Sequence, residues 1–257
     1  MVAAAAARAN YQRDGYLLLP GAIPTDVCAN LASAIVEQYL TLKSAGNLPD
    51  EPGIAAGNLN FMAGAEGLPL SAALEAAGIP QIVERLAGVQ LSAGGITGNL
   101  NLPGSRPQEL HTDSRRDNMF MIANVMLVDC SPENGALELV ESSHAEPLAY
   151  WQMRRQPWRD RARQISARQG DVLIRPSTLW HRGTTNPSAK PRPMAAQIFA
   201  SEPGLDSTAH SGPIRFRGNR YYGRFARVKE ALAMHLPVLD ESLRRARSML
   251  FDRGGLG

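Results

Sequence analysis

The chain has 257 residues, of which 44% are hydrophobic and 20% are charged, and its formal net charge is +3. A chain of this length can form one large domain or two small ones, and its composition is that of a globular protein, not of a disordered, collagen-like or repetitive chain. The two cysteines, Cys28 and Cys130, lie far apart in the sequence, which argues against a disulfide framework or a structural zinc site.

Targeting and membrane signals are weak, and the sequence predicts a cytoplasmic protein. The opening "MVAAAAARAN" has an apolar run of five alanines with no basic residue before it, unlike a secretory leader. No apolar run reaches the roughly 18 residues that a membrane span requires. The most basic segment, 154–169, has neither a docking motif nor interleaved aromatic residues, so we interpret it as a solvent-facing helix or loop and expect no nucleic-acid partner.

The first 90 residues predict a short strand and two helices. "GYLLLPG" is an apolar strand bounded by glycines, and apolar residues at helical spacing from Val27 to Leu40 predict a helix that Thr25 caps. Segment 43–70 is rich in Gly, Pro and Asn and predicts a long loop, either an active-site cover or a plain surface excursion. A second helix then runs through "LSAALEAAG" into "PQIVERLAG".

Segment 91–201 changes to short apolar runs separated by turns, of which "SPENG" is the clearest. The pattern predicts antiparallel strands in a sandwich or jelly roll. Two helices broken at Pro237 are expected near the carboxyl end. We therefore predict a mainly β fold with flanking helices in a single domain, 1–257, made of a helical part (1–90), a jelly-roll core (91–201) and carboxyl-terminal helices (202–257).

The stretch "QELHTDSRRD" contains a candidate pair of metal ligands, His111 and Asp113. Residues two apart on a strand point to the same side of a sheet, so an imidazole and a carboxylate there can converge on one cation. A histidine from another strand would complete a 2-His-1-carboxylate face with open coordination positions, which is diagnostic of non-heme Fe(II) oxygenases. By itself the pair is more often part of an ordinary turn.

Four histidines lie downstream, and the best placed of them is His181, which follows the strand-like run "GDVLIRPSTLW". Arg192 begins the next strand-like run. If these two strands pair as neighbours, Arg192 lies deeper in the same barrel, where a guanidinium binds a dicarboxylate bidentately. A core histidine and a surface arginine are the simpler interpretations of each residue alone, but their joint occurrence favours a site. The other three histidines are His144, His210 and His235.

With these residues in view, the chain resembles the phytanoyl-CoA dioxygenase (PhyH) family of Fe(II)/2-oxoglutarate-dependent oxygenases. The resemblance rests on "RDGYLLLPGAIPTD", "HTD", "ENGALELVESSH", "GDVLIRPSTLWHRG" and the arginine beyond the last histidine, in family order over 11–201. It implies a double-stranded β-helix (jelly-roll, cupin-like) core. It also implies a dioxygenase that uses Fe(II), 2-oxoglutarate and O2, with ascorbate as reductant in vitro, and releases succinate and CO2.

The resemblance also implies roles for individual residues. His111, Asp113 and His181 would be the catalytic iron ligands, and Arg192 would bind the C5 carboxylate of 2-oxoglutarate. Gln108 is similar to a family position that contacts the co-substrate. Asn124, on the next strand, is a candidate for the same contact. Leu137 stands where some relatives use a threonine to bind the co-substrate. His144 is expected to be structural or to support a metal ligand.

The implied reaction is hydroxylation of a C–H bond, with desaturation and ring formation left open. The carboxylate of Asp113 argues against a halogenase, in which halide needs that coordination position. Arg115, Arg116 and Arg182 are candidates to bind an anionic substrate at the pocket mouth, although solvent-facing arginines explain the pattern equally well. Because aromatic residues are scarce, a small or medium polar metabolite is favoured over a fatty acyl-CoA.

Two other classes stay open. A jelly-roll binding or regulatory protein without turnover would keep the same side chains. A hydrolase or isomerase with another metal would leave Arg192 without a role, so an active oxygenase is the favoured interpretation.

Overall fold

A computed structural model of the chain describes residues 2–114, 119–145, 150–155, 157–201 and 211–218. The helices are α1 (Val2–Asp14), α2 (Thr25–Ser44), α3 (Pro52–Ala55), α4 (Leu68–Ala76), α5 (Ile79–Ala87) and α6 (Tyr150–Arg155). The strands are β1 (Leu17–Leu19), β2 (Asn58–Met62), β3 (Ser92–Asn101), β4 (Met121–Met126), β5 (Leu137–Val140), β6 (Ala162–Gln164), β7 (Val172–Pro176), β8 (His181–Gly183), β9 (Arg192–Ala200) and β10 (Arg215–Gly218).

The strands form two antiparallel sheets, as the short apolar runs separated by turns predicted. The large sheet has the order β1-β7-β4-β9-β3-β2-β10, and the small sheet has the order β6-β5-β8. An isolated antiparallel bridge between His111 and His181 adds one more backbone segment to the small sheet beyond β8. The result is the jelly-roll arrangement that the sequence predicted.

The two faces of the large sheet bury different cores. Because side chains alternate along a strand, Val125 of β4 packs with the helices, whereas its neighbour Met126 packs with the small sheet. Leu173 of β7 and Met194 of β9 share the Met126 side, where they meet Leu139 of β5. The space between the sheets is therefore lined by alternate residues of β4, β7 and β9, and it holds the candidate site.

Helices cover the outer face of the large sheet. The apolar face of α2, with Ile35 wholly buried, joins Leu70 and Leu74 of α4 in one cluster with strand residues. This is the largest of the apolar clusters among the described residues, and burial of apolar surface favours folding by roughly 25 cal/mol per Å². No helix among the described residues is both long and apolar enough to cross a membrane.

Three local predictions need correction. Thr25 does not cap α2 but is its first residue; Pro24 occupies the cap position, and no side chain there accepts a hydrogen bond. The second predicted helix is two helices, because Gly78 adopts a left-handed backbone (φ 71°) between α4 and α5. The single run "GDVLIRPSTLWHRG" forms two strands, β7 and β8, in different sheets.

The long loop predicted at 43–70 is wrong in its central part. Residues Asn58–Met62 form β2, which pairs with β3 on one side and β10 on the other. Leu59 and Phe61 are almost fully buried on the helix side, so the segment is part of the sheet and not a cover. The predicted carboxyl-terminal helices lie outside the described residues, and β10 was not predicted.

Candidate metal centre

Three side chains that the sequence singled out converge between the sheets. His111, Asp113 and His181 each offer one ligand atom within 4.8 Å of the other two. The Nε2 atom of His181 lies 3.4 Å from Oδ2 of Asp113, and the Nε2 atom of His111 lies 3.9 Å from Oδ1 of the same carboxylate. A small cation between them would have two nitrogen ligands and one oxygen ligand on one face.

Backbone hydrogen bonds hold this cluster in register. The amide of His111 donates to the carbonyl of His181 (3.0 Å), and the amide of His181 donates back to His111 (2.9 Å). The amide of Asp113 donates to Ser177 (2.9 Å), in the turn between β7 and β8. The H-x-D segment is therefore fixed at the edge of the small sheet, where residues two apart present side chains to the same side.

The outer ring nitrogen of each histidine is also hydrogen-bonded. Nδ1 of His111 lies 2.6 Å from the carbonyl of Glu109, and Nδ1 of His181 lies 2.9 Å from the carbonyl of Leu179. A carbonyl oxygen only accepts, so both Nδ1 atoms carry a proton, and in the neutral rings both Nε2 atoms are unprotonated. This is the tautomer and orientation that a metal-binding imidazole requires.

The protonation states also suit a metal. Burial, reinforced by the positive charge of Arg175, lowers the pKa of His181 well below its usual value, so this imidazole is neutral near pH 7. Burial alone raises the pKa of Asp113, but the positive charges of a protonated His181 and of Arg175 outweigh it and lower the pKa overall. Since His181 is neutral near pH 7, Arg175 is the cation that keeps Asp113 ionised there.

Arg192 lies between the sheets, but not because its strand pairs with that of His181, as the sequence suggested. Its strand, β9, does not pair with β8; it lies in the large sheet, between β4 and β3. Arg192 is 2% exposed, its Nη2 donates to the carbonyl of Gly135 (2.8 Å), and its Nε and Nη1 contact no described hydrogen-bond partner. A buried guanidinium with two such donors is suited to bind a carboxylate, because an unpaired buried charge destabilises the folded protein.

The two other residues predicted to bind the co-substrate, Gln108 and Asn124, both accept hydrogen bonds within the protein. The amide oxygen of Gln108 accepts from the backbone of Gly183 (2.6 Å), which ties the ligand-bearing segment to the end of β8. The amide oxygen of Asn124 accepts from Nε of Arg175 (3.2 Å). Asn124 lies on the same side of β4 as Met126 and thus faces the space between the sheets.

Of the three arginines proposed for substrate, only Arg182 is described; Arg115 and Arg116 lie outside the described residues. Nε of Arg182 pairs with Glu138 (2.6 Å), and its guanidinium lies 5.3 Å from the ring centre of Trp158. Its side chain points away from that of His181, since successive strand residues alternate. The structure therefore does not bring Arg182 to the metal cluster.

Replacement of Arg182 by alanine should leave metal affinity unchanged. The partly exposed ion pair contributes about 1 kcal/mol or less to the free energy of unfolding. Metal titration together with urea unfolding measures both quantities, and His181→Ala, one residue away, is the control that loses metal. A drop in metal affinity of more than about tenfold for Arg182→Ala would show that this side chain belongs to the site.

Arg175 was missed by the sequence analysis and is the principal addition from the structure. It is 4% exposed, and its Nη2 lies 2.8 Å from Oδ2 of Asp113 and 3.2 Å from Nε2 of His181. The sequence feature that could have revealed it is an arginine directly after the apolar run "VLI". A charged side chain is buried in a strand only when it is paired.

Leu137 and His144 behave as structural residues. Leu137 is buried among apolar residues between the sheets, so no hydroxyl is offered there to a co-substrate. His144 packs beside the ring of Tyr11, 6.2 Å between ring centres.

Comparison with known proteins supports this assignment of the fold. Residues 98–194 match the family model described as phytanoyl-CoA dioxygenase (PhyH). This segment runs from β3 into β9 and includes the three clustered side chains and Arg192.

Solved structures share the fold at low sequence identity. The epimerase SnoN, in complex with Fe3+, alpha ketoglutarate and nogalamycin RO, is 21% identical over 86% of this chain and 98% of its own, with a TM-score of 0.57. The alpha ketoglutarate dependent carbocyclase SnoK is 17% identical (82% and 95%, TM-score 0.59). EctD from S. alaskensis, with bound Fe, is 18% identical (80% and 83%, TM-score 0.60). Over residues 98–194, the chain therefore carries a segment that matches the phytanoyl-CoA dioxygenase family model.

Proposed function

We propose that the protein is an Fe(II)- and 2-oxoglutarate-dependent oxygenase that oxidises a C–H bond of a small, anionic metabolite, by hydroxylation, with release of succinate and CO2. The observation that carries the proposal is the presence, in one jelly roll, of an open His–Asp–His cluster and a buried guanidinium with unused donors. A structural neighbour that holds iron and alpha ketoglutarate supports it.

The cluster fits Fe(II) by its donor set. Two neutral imidazoles and one carboxylate are the ligands of non-heme Fe(II) oxygenases, and they leave coordination positions for a 2-oxo acid and for O2. His111, Asp113 and His181 would hold the ion. When bound, Fe(II) supplies the activation of O2 that no side chain provides.

The remaining residues position the co-substrate and exclude water. Arg192 would bind the far carboxylate of 2-oxoglutarate through Nε and Nη1, the two donors without a described partner. Met126, Leu173 and Met194 line the same space with apolar surface, which strengthens these charge interactions by keeping water out.

Formation of succinate tests the proposal. Purified protein is incubated with Fe(II), ascorbate, O2 and 2-oxoglutarate, with and without candidate anionic metabolites, and succinate is quantified. We expect slow substrate-independent decarboxylation that a true substrate accelerates. Binding of iron and 2-oxoglutarate without any succinate would indicate the alternative, an inactive jelly-roll binding protein. Metal-dependent conversion of a substrate without 2-oxoglutarate would indicate a hydrolase or isomerase.

The mass of the product tests the reaction type. Hydroxylation adds one oxygen atom, carbocycle formation or desaturation removes two hydrogen atoms, and epimerisation leaves the mass unchanged. The distinction matters because solved structures of this fold include an epimerase and a carbocyclase.

A further inference from the structure

A second buried guanidinium, that of Arg175, lies at the metal cluster itself. Arg175 is on β7, on the same side as Leu173, and therefore points between the sheets. Its side chain contacts Asp113, His181 and the amide oxygen of Asn124. Its remaining nitrogen, Nη1, is buried without a described hydrogen-bond partner.

Binding of a metal would release a further donor of Arg175. Because Nδ1 of His181 carries the ring proton, Nε2 has the single lone pair that accepts from Nη2 of Arg175 at 3.2 Å. That lone pair cannot serve a metal and the guanidinium at the same time. With the ion in place, Arg175 keeps its hydrogen bonds to Asp113 and Asn124. Both of its terminal nitrogens then have N–H donors available next to the metal position.

The charges of the site also favour an anionic group beside Arg175. Asp113 carries one negative charge, whereas Arg175 and Arg192 carry two positive charges, so the described cluster has one positive charge in excess. A divalent ion and a doubly charged 2-oxo acid cancel each other and leave that excess unchanged. An unpaired buried charge is unfavourable, so an anionic group in direct contact with Arg175 would stabilise the loaded site.

We propose that Arg175 is a second carboxylate-binding residue of this site, which places an anionic group next to the metal position. The inference rests on the proposed function, because it assigns a role within the same site. The carboxylate has two possible sources, the C1 carboxylate of 2-oxoglutarate or a carboxylate of the oxidised substrate. In either case the planar guanidinium offers two parallel N–H donors, the geometry that a carboxylate matches.

A purely structural role for Arg175 makes a different prediction. If the residue only neutralised Asp113 and held Asn124, its replacement would change stability or metal affinity but would not change the response of the metal-loaded protein to carboxylates. The two roles are therefore separated by ligand binding measured on protein already saturated with metal.

The test uses the anaerobic Fe(II) protein and the visible charge-transfer absorption that appears when a 2-oxo acid chelates Fe(II). Titration with 2-oxoglutarate gives its affinity, and subsequent titration with acetate, or with the neutral isostere acetamide, reports a second carboxylate site. The variants are Arg175→Met and Arg175→Gln; the second removes the charge but stays polar, and it serves as the test if the apolar change impairs folding. Arg182→Met, on the next strand along the chain, β8, is the matched control.

If the carboxylate is that of the co-substrate, both Arg175 variants bind 2-oxoglutarate about 10- to 100-fold more weakly, the effect of losing a charge-assisted hydrogen bond. If it is that of the substrate, 2-oxoglutarate affinity is kept, the wild type responds to acetate but not to acetamide, and the variants lose that response. Equal 2-oxoglutarate affinity with the same acetate response in wild type and variants overturns the inference. Absence of the absorption in the wild type instead overturns the proposed function.

Discussion

Replacement of Asp113 by alanine will abolish metal binding at the cluster and, with it, turnover of 2-oxoglutarate. Asp113 is the only anionic member of the metal cluster found among the described residues. Loss of an outer hydrogen-bond partner of a ligand already costs about 10- to 100-fold in metal affinity, so loss of a charged ligand costs more. Titration with Fe(II) or Mn(II) and the succinate assay measure the two effects.

The same substitution also affects the free energy of unfolding. Without Asp113, the buried guanidinium of Arg175 loses its counterion, and breaking a buried pair in this way costs about 3–5 kcal/mol. Urea unfolding of the metal-free protein should show this loss for Asp113→Ala. The control is Glu138→Gln, which removes a carboxylate from the other face of the small sheet and should retain metal. An Asp113→Ala protein with wild-type turnover of 2-oxoglutarate would refute the ligand assignment.

Local patterns pointed to the three side chains that the structure brings together as the metal cluster. The spacing of His111 and Asp113 predicts two side chains on one side of a strand, and the position of His181 after an apolar run places it at a strand end. The first statement depends only on the two-residue period of an extended chain, and the second only on where the apolar run ends. The short apolar runs of 91–201, separated by turns, predicted the antiparallel strands of the jelly roll.

Strand pairing was not predictable in this way, because it depends on residues distant in sequence. The run containing β7 and β8 reads as one strand, yet its two halves pair with different sheets. Strand β2 has the period of two in Leu59 and Phe61, but the intervening asparagines and the flanking glycines resemble a loop. Neighbouring residues carry no information on whether β3 and β10 lie beside it.

Arg175 shows the same limit for function. Within "VLIRP" an arginine looks out of place, and only its contact with Asp113, 62 positions away in the chain, explains its burial. A pattern search finds residues that share a local motif, whereas this residue enters the site because β7 lies beside β4 in the large sheet.

Replacement of Arg192 by methionine will have opposite effects on co-substrate binding and on stability. Each charge-assisted hydrogen bond to a carboxylate contributes about 1.5–3 kcal/mol, so loss of both contacts should weaken 2-oxoglutarate binding by about two orders of magnitude or more. In the absence of co-substrate, however, the buried guanidinium has two donors without a described partner. Its replacement by an apolar side chain of similar length should therefore leave the unfolding temperature unchanged or raise it.

Thermal unfolding of the metal-loaded protein, with and without 2-oxoglutarate, measures both effects in one experiment, because a ligand that binds only the folded state raises the unfolding temperature. The wild type should be stabilised by 2-oxoglutarate and Arg192→Met should not. Arg192→Lys, which keeps the charge but loses the planar pair of donors, should fall between them, and Arg182→Met should respond as the wild type does. If Arg192→Met lost stability without co-substrate yet kept the full response to it, the guanidinium would be a structural cation, and the carboxylate of 2-oxoglutarate would have to be bound elsewhere.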